Sequence, residues 1–152
     1  MNEMYGKDNP KEVAKIVSEK YIEKGYSLDF SIKSLENEID NILENEKPKN
    51  WMESGKLECE LTAYIGETIC QIFNAKWKGE YSSENWGQNY YTCKIEKDGF
   101  EFGPSHFIGY YLSNGKVNEG SFKEYLYSRD YSSGIFYDFL GGGLFNKLSL
   151  NK

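Results

Sequence analysis

The stretch LTAYIGETICQIFNAKW, Leu61 to Trp77, constrains the fold more than any other part of the chain. At about 100° per residue, Leu57, Leu61, Tyr64, Ile65, Ile69, Ile72 and Phe73 fill one broad face of a helix that begins after Gly55. Beside that face runs a stripe of small residues, Cys59, Ala63, Gly66 and Cys70, over which a second element can approach closely. A helix with apolar and small faces side by side is expected to have packing partners on two sides. The narrow remaining sector holds Glu60, Glu67, Gln71 and Asn74, and is expected at a partly covered polar edge. A lone carboxylate at such an edge more often pairs with a base or a backbone group than performs chemistry.

Two helices precede it. Asn9-Pro10-Lys11-Glu12 is a helix start, with Asn as N-cap, Pro in the first turn and Glu placed to close a capping box. Val13, Ile16, Val17 and Tyr21 follow at helical spacing, and Gly25 supplies the stop. A second helix is expected from Ser31, stapled by Phe30 onto Leu35, with an apolar stripe of Ile32, Leu35, Ile39, Ile42 and Leu43 ending before Pro48.

After Trp77 the period changes to two. Gln88–Glu96 alternates, and Asp98-Gly99 is a favoured two-residue hairpin turn into Phe100-Glu101-Phe102. Trp77–Tyr81 reads as a preceding edge strand, giving about three antiparallel strands that need helices on one face. Gly103-Pro104 opens a short helix with Phe107, Ile108, Tyr111 and Leu112, ended by Asn114-Gly115. Ser121–Glu124 is a further capping box. The expected fold class is α+β, helices packed on a small antiparallel sheet, with residues 1–152 as a single domain. Residues 131–152 form an aromatic, Gly-rich tail with three possible fates: docked on the core, exchanged into a homodimer, or lying on a surface. Docking is the default, because exposed Phe and Leu clusters are liabilities.

Composition narrows the function classes. A formal net charge of −6 argues against nucleic acid, whose phosphates need a basic face. The same charge suits a basic protein partner, which it would steer. No apolar run is long enough to span a bilayer, and the N-terminus lacks the pattern of a signal peptide, so a cytoplasmic protein is expected. Three cysteines, Cys59, Cys70 and Cys93, are an odd number with no C-x-x-C pair, which fits reduced thiols.

Signatures of chemistry are sparse. The one histidine, His106, sits at a helix start with no G-x-S-x-G elbow elsewhere, so a serine triad has nothing to build on. There is no H-E-x-x-H pair, Walker loop or dinucleotide-binding glycine pattern, and neither metal nor cofactor is expected. The one enzyme reading that the residues leave open pairs Glu67 with a hairpin carboxylate, Asp98 or Glu101, in a small hydrolase or ligand-binding site.

Tyr64-Ile65-Gly66-Glu67, followed by Trp77 and then by Gly99-Phe100 and Gly103-Pro104, resembles a group of small uncharacterised bacterial proteins with a Y-[LI]-G-E helix and a Trp-bearing strand. Leu28–Leu35 and Asn114-Gly115 share the likeness, which covers about Ser27 to Leu126, and the tail after Tyr131 departs from it. Some of that group are similar to immunity proteins, which neutralise a toxin in bacterial competition. The resemblance implies an α+β fold and a non-enzymatic, protein-binding role. It also implies that Gly66, Glu67 and Trp77 are a structural signature, with Gly66 allowing close packing and Glu67 holding the backbone of a strand or loop. Candidate contacts for a basic toxin are Tyr81, Trp86, Tyr90 and Glu101, around the sheet and its loop. Each of them also reads as ordinary sheet surface.

Overall fold

The computed structural model describes residues 9–78, 94–115 and 120–127, together with Leu144, Phe145 and Leu148. Helix α1 spans Pro10–Glu23, α2 spans Ile39–Asn45 behind a π-helical turn at Ser34–Glu38, and α3 spans Trp51–Phe73. Strands β1 (Lys76–Lys78), β2 (Lys94–Lys97) and β3 (Phe100–Phe102) follow, then α4 (His106–Asn114) and α5 (Phe122–Tyr127). The strands form one antiparallel sheet in the order β1-β2-β3, and the helices pack against it, which makes the fold α+β.

The starts and stops follow from local chemistry. Asn9 caps α1 by accepting the Lys11 amide at 3.0 Å, and Gly25 leaves the helix at φ +101°. In α5 the Ser121 hydroxyl accepts the Glu124 amide and the Glu124 carboxylate accepts the Ser121 amide, the reciprocal box expected there. Asp40 of α2 reinforces this start from outside, accepting the amides of Phe122 at 2.7 Å and Lys123 at 3.2 Å. The hairpin between β2 and β3 turns at Asp98 (φ +50°) and Gly99 (φ +91°), both in the left-handed region that this turn requires.

Two expectations need correction. Helix α3 starts at Trp51, upstream of Gly55. The Asn50 side chain accepts the Glu53 amide at 2.9 Å and Glu53 in turn accepts the Lys49 amide at 2.8 Å, and these caps carry the helix through the glycine. The second helix starts after Ser31, whose hydroxyl accepts the Ser34 amide at 3.1 Å, but it runs through a π-turn at Ser34–Glu38, and Ile32 of its apolar stripe is exposed. Phe30 sits at φ +62° with its ring 5.0 Å from that of Tyr64, so it packs against α3.

Helix α3 is the axle of the core. Every residue from Leu57 to Ile69 is buried, so the sector assigned to a partly covered polar edge is buried at Glu60 and Glu67 and exposed at Gln71 and Asn74. Helix α1 packs along it with Val13, Ala14, Val17 and Tyr21. The sheet covers another side with the cross-strand row Trp77, Ile95 and Phe102. Much of the aromatic content is core material: Phe107, Phe122 and Tyr125 pack with ring centroids 5.1–5.6 Å apart. Leu144, Phe145 and Leu148 are buried in the same core, with the Phe145 ring 5.1 Å from Phe73.

Candidate functional site

Tyr64, Gly66 and Glu67 occupy one turn of α3, and each engages a different neighbour. The Tyr64 hydroxyl accepts the Phe30 amide at 2.8 Å and shares a hydrogen bond of 2.6 Å with the Ser34 hydroxyl. Burial holds its phenol above the ordinary range. Gly66 is where the Trp77 ring lands: a Cβ added there would lie 2.2 Å from Cη2 and 2.4 Å from Cζ2 of that ring. Glu67, 5% exposed, accepts the Trp77 indole N–H at 3.1 Å through one oxygen and the Gln71 amide at 3.1 Å through the other. The sequence places Glu67 against a backbone group of a strand or loop, whereas its partner is the Trp77 side chain. Once the ring lies on Gly66, its N–H is carried to the next residue of the helix.

The other buried carboxylates of α3 are also engaged. Glu60, 1% exposed, accepts from Lys20 at 2.6 Å and from the Tyr21 hydroxyl at 2.7 Å. Glu58 lies against α4, where a Cβ on Gly109 would come within 2.9 Å of its Oε2. Among the described residues no group of three or more His, Cys, Asp or Glu side chains is placed to hold a metal ion.

Of the four candidate contacts, Tyr81, Trp86 and Tyr90 lie outside the described residues, and Glu101 is described. Glu101 stands opposite Glu96, which stands opposite Lys76. Neighbouring strand residues alternate faces, so this row points away from Trp77, Ile95 and Phe102. Glu101 pairs with Lys78 on that outer face, and the bond holds its carboxyl below, and the Lys78 ammonium above, their ordinary values. Glu67 lies beneath the sheet and Glu101 on top of it. Asp98, in the turn, pairs with Lys97 at 3.2 Å.

A second surface lies towards the opposite end of α3. Trp51 is 76% exposed and Met52 55% exposed, side by side in the first helical turn. The Asn50–Glu53–Lys49 caps fix the backbone of that turn. A groove of about 640 Å³, lined by Leu43, Lys47, Pro48, Tyr111 and Leu112 among others, opens next to it in sequence. At 1.5 Å rise per residue, Trp51 lies about 22 Å along α3 from Gly66, where the sheet is seated. Trp51 falls outside the helix expected after Gly55, so its exposure in a first turn is not evident from that boundary. The Asn50-x-x-Glu53 spacing was the signal that would have placed it in an exposed first turn.

No protein-family model, curated protein or solved structure matches the chain. Among the described residues no helix is long and apolar enough to cross a membrane.

Proposed function

We propose that this chain is a non-enzymatic protein-binding protein of the immunity type, which captures a basic protein partner. The observation that carries the reading is Trp51, held in a doubly capped turn beside Met52 and about three-quarters exposed. Exposed, pre-organised Trp is the residue type that most often dominates binding energy at an interface. Met adds adaptable apolar contact. The net charge of −6 supports a basic partner by speeding encounter, while the Trp51 end supplies the contacts that slow dissociation. The likeness of Tyr64–Glu67 and Trp77 to the immunity-like group points the same way. The hydrolase alternative asks Glu67 and a hairpin carboxylate to share one space, and the opposed faces of Glu67 and Glu101 weigh against it.

Tyr81, Trp86, Tyr90 and Glu101 are the other candidate contacts in this proposal, and the length of α3 separates the sheet that carries Glu101 from Trp51 well enough to test. The tagged protein is used to capture partners from lysate of its native organism, with stepped salt elution and mass spectrometry. The expected result is one stoichiometric basic protein, released as salt rises and bound on the order of 30-fold more weakly by Trp51→Ala, which corresponds to a hot spot of about 2 kcal/mol. A partner lost with Glu101→Ala but indifferent to Trp51→Ala would move the site to the sheet. No specific partner at low salt would overturn the binding reading.

A further inference from the structure

We draw no further inference here: the strongest candidate, the polar pocket of about 300 Å³ between Ser27 and Glu38 beside the π-helical turn, is a cluster of serines and carboxylates with Lys33 and Asn37, hydrogen-bonded largely within its own loop and helix start, and nothing in the structure points to a ligand for it.

Discussion

Gly66 and Tyr64 stand two residues apart on α3, and the absence of one side chain matters as much as the presence of the other. Replacing a helical glycine with alanine in open space gains up to about 1 kcal/mol of helix propensity. At Gly66 the new methyl would meet the rigid Trp77 ring at 2.2 Å, and overpacking of that kind costs about 1–3 kcal/mol. Gly66→Ala is therefore expected to destabilise, read as a lower urea midpoint at unchanged slope. Tyr64→Phe keeps the ring on Phe30 but leaves the Phe30 amide without this acceptor, while the Ser34 hydroxyl keeps its bond to the Ser31 carbonyl, at a cost of about 1–3 kcal/mol. An unchanged midpoint would mean that water satisfies the Phe30 amide. These residue roles were legible only in part. The Y-I-G-E stretch marked the turn that matters, but nothing in a linear sequence says that a ring eleven residues downstream of Gly66 folds back onto it.

At the scale of elements, α1 is tied to α3 by Lys20, Tyr21 and Glu60. Removing Lys20 leaves the buried Glu60 carboxylate with less compensation, and breaking a buried pair costs about 3–5 kcal/mol. Lys20 retains some solvent contact, so Lys20→Met is expected at or below the lower end of that range. Thermal or urea unfolding would measure it. A second tie, Lys24 to Glu46 at 2.9 Å, is nearer the surface and worth at most about 1 kcal/mol. The Lys24 hydrogen bond holds the Glu46 carboxyl below its ordinary value, against burial, which raises it, and with further help from the Tyr26 hydroxyl. A carboxyl lowered in the folded state stabilises fully above its unfolded pKa of about 4.3 and loses that contribution as pH falls through the folded value. The same hydrogen bond raises Lys24, whose contribution is present below about 10.4 and is lost as pH rises through its folded value. Lys24→Met should flatten the acid limb of the stability curve by up to about 1 kcal/mol. An acid limb identical to that of the parent protein would show that the pair contributes nothing.

The elements themselves were largely written in the sequence, because caps and turns act locally. Asn9, Gly25, Ser121 with Glu124, and Asp98-Gly99 each do the job that their type and spacing announce. The start of α3 and the π-turn were not read correctly. Gly55 suggests a later start than the one the Asn50 cap sets, and a π-turn is a tertiary adjustment that leaves the helical stripe almost unchanged. The burial of Glu60 and Glu67 was hidden for a similar reason. A helical wheel ranks faces by polarity, but cannot count how many neighbours will cover them.

For the whole molecule, α3 joins two ends with different work. Its middle and C-terminal half hold the α1 contact, the loop at Phe30 and the sheet, while its first turn presents Trp51 and Met52 to solvent. Trp51→Ala removes an exposed side chain and should leave stability within about 0.5 kcal/mol. Its effect should appear in binding alone, which an unfolding curve run beside the capture assay would check. Charge belongs to this scale too. The net −6 was read correctly as a property of the chain, but the outer sheet face around Glu101 carries Lys76, Lys78 and Lys94 as well, so acidity is not concentrated there.

If Glu67 is the structural joint between helix and sheet, its bond to Trp77 must appear as a coupling energy. Urea unfolding of the parent protein, Glu67→Leu, Trp77→Phe and the double variant measures it directly. The expected result is a coupling of about 0.5–3 kcal/mol, the double variant losing less than the sum of the singles, because each single change strands a buried polar group that the other removes. Losses that add to within about 0.3–0.5 kcal/mol would contradict the joint and return Glu67 to the list of residues available for chemistry.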